Sequence, residues 1–324
     1  MNKHGDDVHP PSENGDAAPM FLNDVLHGLA SDPKALPPKY FYDAAGAALF
    51  GDICELPEYY VTRTEVGILR QHAADIAGAL GPQAMLVEYG AGSLDKIRIL
   101  LDAMATPAGV IAVDISEQQL LRAAEDLRRA YAGLWVSSVA ADFTGPVDLP
   151  NPQGRPARNV VFFPGSTIGN FDPDGAVTFM RSIAETVGAD GGLLIGIDLK
   201  KDLQTLIDAY DDGAGVTAAF NKNLLTRINR ELDADFDIDH FRHEARYDVE
   251  RGRIEMHLES LQAQTVTVAG RTFDFIAGET IHTENSYKYL PDEFAGLAAE
   301  AGFKRDALWT DAERRFGVML FRKA

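Results

Sequence analysis

The stretch Met85-Leu-Val-Glu-Tyr-Gly-Ala-Gly-Ser-Leu-Asp-Lys96 carries the strongest indication of fold class in the sequence. It begins with an apolar run of strand length and continues directly into Gly90 and Gly92. Glycines after a buried strand allow a tight turn and a close approach of the backbone to a ligand, because no Cβ intrudes. A helical pattern starts at Lys96. A strand, a glycine turn and a helix in this order are typical of a doubly wound α/β sheet.

The alternation of strand and helix continues on the C-terminal side of this stretch. Apolar runs of strand length recur at Gly109–Val113, Trp135–Ala140, Asn159–Phe163 and Gly192–Ile197. Segments with helical periodicity lie among them, at Lys96–Ala105, Ser116–Tyr131 and Asp174–Val187. Strands that alternate with helices of this length predict a parallel α/β sheet.

The flanking regions lose this alternation. Helices are predicted at Asn23–Ala30, Thr62–Leu80, Leu203–Tyr210, Thr217–Glu231 and Pro291–Ala301. Strands are predicted at Arg253–Gln264 and Thr265–Ile276, with a closing hairpin over Ala307–Arg322. The change of rhythm after Lys201, in a chain of 324 residues, indicates a second domain beside the parallel sheet.

The composition excludes several classes of protein. The chain has 49 acidic and 30 basic residues, so its formal net charge is −19. This charge argues against nucleic-acid binding and against docking on an anionic membrane, because both need Lys and Arg at the contact. The single cysteine, Cys54, excludes a disulfide framework and a zinc site built from cysteines.

The N-terminal segment is polar and contains Pro, Gly and Asp, so we expect residues 1–18 to be disordered. It lacks the apolar core of a secretory signal, and no run of about 20 apolar residues predicts a membrane-spanning helix. With one cysteine and no signal sequence, we expect a cytoplasmic protein.

Acidic residues follow the next two predicted strands, at positions suited to a nucleoside. Asp114 ends the second strand, and Asp142-Phe143 follows the third. An acid at the first position can hold ribose hydroxyls, while a carboxylate and a ring at the second suit adenine. A dinucleotide fingerprint would place a third glycine at position 95, where this chain has Asp95. The pattern therefore favours a nucleoside without phosphate, such as S-adenosylmethionine (SAM), over a nicotinamide cofactor. A plain tight turn at Gly90 is the alternative.

Two other motifs resemble metal sites without their full requirements. Asp233, Asp235 and Asp237 imitate a calcium loop, but Ile238 occupies the position that needs glycine. His240 and His243 lie three residues apart, with Glu244 next to His243. The whole acidic segment is more typical of a solvated connection between elements than of a metal site. We therefore expect no metal.

Several long motifs resemble one family. They are Lys39-Tyr-Phe-Tyr-Asp43, Leu56-Pro-Glu-Tyr-Tyr-Val-Thr-Arg-Thr-Glu65, Phe163-Pro-Gly-Ser-Thr-Ile-Gly-Asn-Phe171, Ala209-Tyr-Asp-Asp212, Gly215-Val-Thr-Ala-Ala-Phe-Asn221, Asn229-Arg-Glu-Leu232, Arg253-Ile-Glu-Met256 and Thr283-Glu-Asn-Ser286. Together they resemble the SAM-dependent L-histidine Nα-methyltransferases of ergothioneine biosynthesis, over essentially the whole chain after about residue 20.

The resemblance implies three methyl transfers from SAM to the α-amino group of L-histidine, through mono- and dimethylated forms, to the betaine hercynine. It implies an α/β fold with a Rossmann-like methyltransferase sheet and a second α+β substrate-binding domain. The expected division is an N-terminal part of the substrate domain at 19–60, the SAM-binding domain at 61–200, an inserted part of the substrate domain at 201–286, and a return to the methyltransferase domain at 287–324. We expect a monomer.

The resemblance also implies roles for particular residues. The cofactor-binding residues would be Tyr42, Gly90, Lys96, Asp114, Asp142 and Phe143. The substrate-binding residues would be Tyr59, Asn170, Tyr210, Met256, Glu284 and Ser286. Lys96 is expected at the methionine carboxylate of SAM, and Asn170 and Tyr210 at the α-amino and α-carboxylate groups of the substrate. Glu284 and Ser286 would bind the imidazole, and Tyr42 and Asn170 would be the catalytic residues.

The sequence departs from the familiar family pattern in the glycine turn and at Asn285 and Tyr287, so fine amino-acid specificity stays open. Two alternatives remain at this point. One is a SAM-dependent N-methyltransferase of another amino acid or small amine. The other, from a different class, is a SAM-binding protein without catalysis.

Overall fold

The computed structural model describes residues 17–145, 147–150 and 156–324. Most of the N-terminal tail expected to be disordered lies outside these ranges. Within them, the α-helices are α1 (Ala17–Ala30), α2 (Ala44–Glu55), α3 (Val61–Gln71), α4 (Ala73–Leu80), α5 (Asp95–Ala103), α6 (Glu117–Ala130), α7 (Pro173–Val187), α8 (Leu203–Asp208), α9 (Val216–Leu232) and α10 (Pro291–Glu300). Short 3-10 turns are formed by Pro38–Phe41, Thr167–Asn170 and Ile238–His240.

The described strands are β1 (Ala84–Tyr89), β2 (Gly109–Asp114), β3 (Val136–Ala140), β4 (Arg158–Phe163), β5 (Gly192–Asp198), β6 (Phe241–Asp248), β7 (Arg253–Ser260), β8 (Gln264–Val268), β9 (Arg271–Phe275), β10 (Thr280–Tyr287), β11 (Phe303–Thr310) and β12 (Phe316–Lys323). None of the helices in the described part of the chain is long and apolar enough to cross a membrane.

The chain divides into two compact units. The first, called here the composite unit, contains Met1–Gly51, Ala214–Ala245 and Met256–Glu284. The second, called the sheet unit, contains Asp52–Gly213, Arg246–Glu255 and Asn285–Ala324.

A seven-stranded sheet in the order β11-β12-β5-β4-β1-β2-β3 forms the sheet unit. The strands from β3 to β5 pair in parallel, whereas β12 pairs antiparallel with both β5 and β11. Leu86 of β1 lies opposite Val110 of β2 and Val160 of β4. Every residue of β1 is buried, as expected for a central parallel strand with both faces covered. The predicted α/β class and the closing hairpin are confirmed.

Helix α7 shows how the sequence positions elements against this sheet. Asp172 caps the helix by accepting a hydrogen bond from the Gly175 amide at 2.7 Å, and Pro173 occupies the first helical position. The helix ends at Gly188, whose φ of +75° suits glycine. Its apolar face packs into the core, with Val177, Met180, Ile183 and Val187 buried.

In the composite unit, helices α1, α2 and α9 accompany a three-stranded sheet in the order β10-β7-β6 and the two-stranded β8-β9 hairpin. The three strands continue beyond the composite unit, since their remaining residues are assigned to the sheet unit. Leu36 donates its amide to His282 and His282 donates to Lys34, so residues 34–36 extend the pairing of β10.

Three predictions of secondary structure were wrong in detail. The single strand predicted over Thr265–Ile276 is a hairpin, because Ala269 and Gly270 both adopt positive φ and reverse the chain. The predicted strand from Arg253 ends at Ser260 rather than Gln264. The predicted helix over Thr62–Leu80 is interrupted at His72, where φ is −110° and ψ is 14°.

Candidate active site

The candidate site residues fall into both units. Tyr42, Met256 and Glu284 belong to the composite unit. The remaining nine belong to the sheet unit, and they are Tyr59, Gly90, Lys96, Asp114, Asp142, Phe143, Asn170, Tyr210 and Ser286.

The turn after β1 is tight and depends on glycine. Gly90 has a φ of +70°, and its carbonyl accepts a hydrogen bond from the Gly92 amide at 2.8 Å. The amides of Gly90 and Ala91 both donate to the carbonyl of Val113, at 2.9 and 3.2 Å, and tie the turn to β2. A side chain at position 90 would point at the Phe143 ring, 3.9 Å from a Cβ placed there. The turn therefore brings the backbone at Gly90 close to the Phe143 ring.

The two carboxylates predicted for a nucleoside lie at neighbouring strand ends. Because β1, β2 and β3 are adjacent and parallel, their carboxyl ends share one edge of the sheet. The Asp114 carboxylate accepts a hydrogen bond from the Ser116 amide at 2.8 Å. The Asp142 carboxylate accepts hydrogen bonds from the amide and the hydroxyl of Thr144, at 2.9 and 2.7 Å. Burial raises the pKa of Asp114, and this outweighs the opposite effect of its amide hydrogen bonds.

Phe143 is fixed by neighbouring rings. It stacks on Tyr89 at a centroid separation of 5.5 Å and meets Phe163 edge-on at 5.8 Å. A ring held in this way offers a rigid apolar surface after β3.

Glu88 is a functional candidate to which the sequence analysis gave no role. It is buried near the end of β1, and its Oε2 has no hydrogen-bond partner among the described residues. Burial raises the pKa of Glu88 to about 8, although the positive charge of Lys96 lowers it. A buried carboxyl oxygen without a partner suits a cationic ligand group that would restore its charge and its hydrogen bonding.

Lys96 is held by a second residue without a predicted role. Its Nζ lies 2.5 Å from Oε2 of Glu65, a fully buried carboxylate on α3. Glu65 also accepts the Gly165 amide, at 2.9 and 3.0 Å to its two oxygens. One carboxylate therefore ties α3, α5 and the loop after β4 together. The predicted contact of Lys96 with the SAM carboxylate stays a prediction.

Asn170 ends the 3-10 turn that follows β4, and this turn packs tightly. Ser166 before it adopts a left-handed conformation, with φ of 57°, and its hydroxyl accepts the Asp198 amide at 2.8 Å. A Cβ on Gly169 would lie 2.9 Å from the Tyr287 carbonyl, so only glycine fits there without displacement. The position of Asn170 is therefore set by its backbone surroundings.

Tyr59, Tyr210 and Ser286 come together in the sheet unit. The hydroxyls of Tyr210 and Ser286 lie 2.7 Å apart and share a hydrogen bond. The ring of Tyr59 meets that of Tyr210 edge-on at 6.3 Å. Three of the predicted substrate residues thus form one contiguous group.

A buried cluster of charged groups lies against this group. Lys288 donates to Ser286 at 2.8 Å and to Tyr210 at 3.0 Å, and it pairs with Asp198 at 2.8 Å. Lys201 pairs with the other oxygen of Asp198 at 2.5 Å, and Tyr60 donates to the same carboxylate. None of these four partners had a predicted role, because no local motif joins Asp198 to Lys288, 90 positions away.

The charges of this cluster stabilise one another. Burial alone would raise the pKa of Asp198, but Lys288 and Lys201 outweigh it and hold that pKa below its ordinary value. Burial likewise opposes the charge on Lys288, yet Asp198 raises the pKa of Lys288 above its ordinary value. For Lys201, burial and the charge of Lys288 prevail over Asp198 and lower its pKa to about 8.

In the composite unit, Tyr42 is part of an aromatic group. It is 47% exposed, and its ring meets Phe50 at 5.6 Å and Phe220 at 5.8 Å, both edge-on. Phe41 packs on Phe220 at 4.7 Å from the other side. Ring faces grouped in this way suit a cationic ligand such as a methylated ammonium.

The backbones at Met256 and Glu284 are held by hydrogen bonds within the same unit. Thr283 donates its hydroxyl toward the Met256 carbonyl at 3.0 Å and toward Asn221 at 2.8 Å. The Asn221 amide in turn lies 2.8 Å from Nδ1 of His243 and 3.1 Å from the His257 carbonyl. The Glu284 carbonyl accepts from the His282 ring at 3.0 Å. The rings of His257 and His282 stack at a centroid separation of 4.9 Å.

The residues of the sheet unit fit SAM on three observations. The tight turn at Gly90 lies beside the fixed Phe143 ring, Asp114 ends β2, and Glu88 presents a buried oxygen that lacks a partner among the described residues. SAM carries an adenosine, an ammonium group and a sulfonium but no phosphate, which matches a site with acids rather than an anion cradle.

Comparisons with known proteins identify the family of the chain. A family model described as histidine-specific, SAM-dependent methyltransferase matches residues 21–323. The chain is 44% identical to the histidine N-alpha-methyltransferase of Mycolicibacterium smegmatis over 309 residues. The aligned region covers 94% of this chain and 95% of that protein. The chain is 42% identical over 315 residues to the Mycobacterium tuberculosis protein of the same name, with 95% and 97% coverage.

A more distant relative carries a different name. The chain is 27% identical over 323 residues to a 4-dimethylallyltryptophan N-methyltransferase of Claviceps purpurea, with 89% of this chain and 90% of that protein covered. The family match over nearly all of the chain, together with two relatives above 40% identity, confirms the resemblance found in the motifs. The chain therefore belongs to the family of histidine-specific, SAM-dependent methyltransferases.

Proposed function

We propose that this enzyme transfers three methyl groups from SAM to the α-amino group of L-histidine, giving hercynine for ergothioneine biosynthesis. The observation that carries the proposal is the similarity to two histidine N-alpha-methyltransferases along nearly the full length of both chains. The mono- and dimethylated forms would be intermediates on the same enzyme.

The chemistry asks the protein for positioning more than for strong acid or base catalysis. SAM, when bound, supplies a methyl group on a sulfonium that is already electrophilic. In each transfer the amine nitrogen forms a bond to the methyl carbon, the carbon–sulfur bond breaks, and the sulfur keeps the electron pair. The attacking amine must be neutral, so one proton leaves before each transfer. The enzyme gains most by holding the amine in line with the methyl group.

On the cofactor side, the proposed contacts are Gly90, Asp114, Asp142 and Phe143, with Tyr42 and Lys96. Asp114 would accept hydrogen bonds from the ribose hydroxyls, and Asp142 would accept one from the adenine amine. Phe143 would stack on the adenine face. Glu88 joins this set as an acceptor for a cationic part of the cofactor.

On the substrate side, Asn170 and Tyr210 would bind the amino and carboxylate groups of histidine, beside Tyr59. Glu284 would accept an imidazole N–H and Ser286 would bind the other ring nitrogen, with Met256 packed alongside. A site built on such polar contacts rejects amino acids without the ring more sharply than an apolar pocket does.

Tyr42 and Asn170 are proposed as the catalytic residues, since both would lie at the reacting amine. The aromatic neighbours of Tyr42 suit the increasingly methylated ammonium through cation–π contact. This charge-based attraction needs no donor on the substrate, so it persists as the N–H groups are replaced.

We further propose the division into a SAM-binding domain at 61–200 and 287–324 and a substrate domain at 19–60 and 201–286. A monomeric, cytoplasmic enzyme that works without a metal completes the proposal. Size-exclusion chromatography with light scattering, cell fractionation and metal analysis of the purified protein test these three points.

One experiment tests the substrate. The protein is incubated with SAM and an equimolar mixture of amino acids, and the products are examined by mass spectrometry. We expect histidine with one, two and three added methyl groups, ending in the trimethylated form. Unchanged histidine beside another methylated amino acid would refute the substrate assignment.

The second candidate is N-methylation of a different amino acid or a derivative. Two observations support this second candidate. One is the similarity to the 4-dimethylallyltryptophan enzyme, and the other is the departure from the familiar family pattern at Asn285 and Tyr287. SAM binding without any methylated product would instead indicate a non-catalytic SAM-binding protein.

A further inference from the structure

Lys288 occupies an unusual position beside two predicted substrate residues. Its side chain is fully buried, and its Nζ lies 2.8 Å from Asp198, 2.8 Å from Ser286 and 3.0 Å from Tyr210. An ammonium group has three hydrogens, and these three acceptors can use all of them. The ammonium group is therefore committed to the cluster and fixes the places of both hydroxyl oxygens.

The direction of these hydrogen bonds matters for a ligand. Since Lys288 has no acceptor, the oxygens of Ser286 and Tyr210 must each accept from it. A hydroxyl that accepts from a cation is polarised and becomes a stronger donor. Because the two hydroxyls also hydrogen-bond to each other, one of their two hydrogens is used within the pair. The other hydrogen is left to donate to an anionic or lone-pair group.

The charge balance of the cluster points to the same kind of group. Two ammonium groups, Lys288 and Lys201, share the single carboxylate of Asp198. With all three groups charged, the cluster has an excess of one positive charge, and both Lys288 and Asp198 are fully buried. Burial strengthens such a field because little water screens it. A carboxylate placed near Tyr210 would be stabilised by it.

We propose that Lys288, held by Asp198, is a positioning residue that fixes the hydrogen-bonded hydroxyls of Tyr210 and Ser286 so that their one remaining hydrogen is offered to the substrate. This makes the site selective for substrates with a free carboxylate. This inference rests on the proposed function, because it takes the α-carboxylate of the amino acid as the group that is bound. Lys288 acts through the two hydroxyls and not by touching the substrate.

The test compares Lys288→Met with Lys201→Met. Both variants remove one ammonium group from Asp198, but Lys201 contacts Tyr60 and not the two hydroxyls. Calorimetric titration of histidine into the protein with bound S-adenosylhomocysteine measures the affinity. We expect Lys288→Met to weaken histidine binding about 10-fold or more, the typical effect of losing a charged hydrogen bond, with SAM affinity retained. Lys201→Met should weaken histidine binding much less.

A double-mutant cycle separates this role from a general loss of structure. In a Tyr210→Phe, Ser286→Ala background, the additional effect of Lys288→Met on histidine affinity should largely disappear, because its two targets are gone. Equal effects in both backgrounds would overturn the proposal, as would equal effects of Lys288→Met and Lys201→Met.

Two further measurements keep the test decisive. If Lys288→Met does not fold, Asp198→Asn replaces it, and a histidine affinity equal to that of the wild type would overturn the proposal. Histamine has the ring and the amine but no carboxylate, so Lys288→Met should weaken its binding much less than that of histidine. Failure of the wild-type protein to bind histidine would count against the proposed function, whereas intact binding by Lys288→Met counts only against this inference.

Discussion

Glu284 is the residue whose loss should separate substrate binding from cofactor binding. Replacing it by alanine removes the proposed acceptor for an imidazole N–H. We expect Glu284→Ala to weaken histidine binding by about 10- to 100-fold, the range for a hydrogen bond to a charged group, and to leave SAM affinity intact. Calorimetric titration of each ligand measures both. Glu284→Gln keeps an acceptor oxygen and should lose less. Undiminished histidine affinity in the alanine variant would refute the assignment.

The raised pKa of Glu88 predicts that the stability of the ligand-free protein depends on pH. Its pKa is about 8 in the folded protein, above the ordinary value of a glutamate in the unfolded chain. Between these two values the folded state holds a proton that the unfolded state has released, so the free energy of unfolding falls as pH rises. Below this window both states are protonated, and the stabilising effect of the raised pKa is fully present.

Glu88→Gln removes this titration with little change in shape. Denaturant unfolding from pH 5 to 8 should therefore show a steeper loss of stability in the wild type than in the variant, by at most about 1.4 kcal/mol per pH unit for one proton. Parallel curves for the two proteins would show that Glu88 is ionised throughout this range.

At the scale of elements, α3 and β5 meet so closely that a methyl group does not fit between them. A Cβ added to Gly196 of β5 would lie 2.0 Å from Oε1 of Glu65, which is itself committed to Lys96 and Gly165. We expect Gly196→Ala to lower the free energy of unfolding by about 3 kcal/mol or more, as overpacking of a fixed core does.

Gly67→Ala is the matched control for this prediction. Gly67 lies in the same helix as Glu65, and a Cβ there would meet nothing within 4 Å. Alanine in a helix interior should raise stability by about 0.5–1 kcal/mol. Chemical denaturation of both variants measures the two changes. Similar effects of the two substitutions would mean that Glu65 moves aside at little cost.

The elements that sequence periodicity could predict are those buried on a regular face. The parallel strands and α6 and α7 follow from apolar runs, and their ends agree with the structure to within a residue or two. Helix α2 was not predicted, because Gly46 and Gly51 interrupt its pattern and tertiary packing has to overcome their low helix propensity. The β8-β9 hairpin was not predicted either, since Ala269 is an unusual residue for a positive φ.

The candidate site was predictable only where one motif contains the whole arrangement. Gly90 follows β1, Asp114 ends β2 and Asp142 follows β3, so each is marked by its own strand and the strand order alone brings the three to one edge. The cluster of Asp198, Lys201 and Lys288 unites distant positions, and the Glu65–Lys96 pair joins two helices. A buried charge reveals its partner only in three dimensions, so these residues were missed. The available signal was Lys288, which lies directly after β10 between the buried Tyr287 and Tyr289.

At the scale of the whole molecule, the net charge of −19 should affect stability. Like charges repel one another most in the compact state, and salt screens exposed charges over about 10 Å at 0.1 M. We expect the melting temperature to rise as NaCl is increased from low to physiological concentration. Thermal unfolding followed by circular dichroism measures this. A melting temperature that falls over this range would show that salt weakens the ion pairs more than it relieves the repulsion.

The place of β12 in the sheet has a consequence for synthesis on the ribosome. Because β12 lies between β5 and β11, the seven-stranded sheet cannot be completed until residues 316–323 have left the exit tunnel. Until then, a nascent chain in which the strands β1 through β5 have already assembled exposes β5 (Gly192–Asp198) as an apolar edge strand, because its neighbour β12 is still missing. An open strand edge of this kind is prone to pair with other chains. Translation pauses before Phe316 should therefore increase aggregation of nascent chains, and a chaperone that covers strand edges should reduce it.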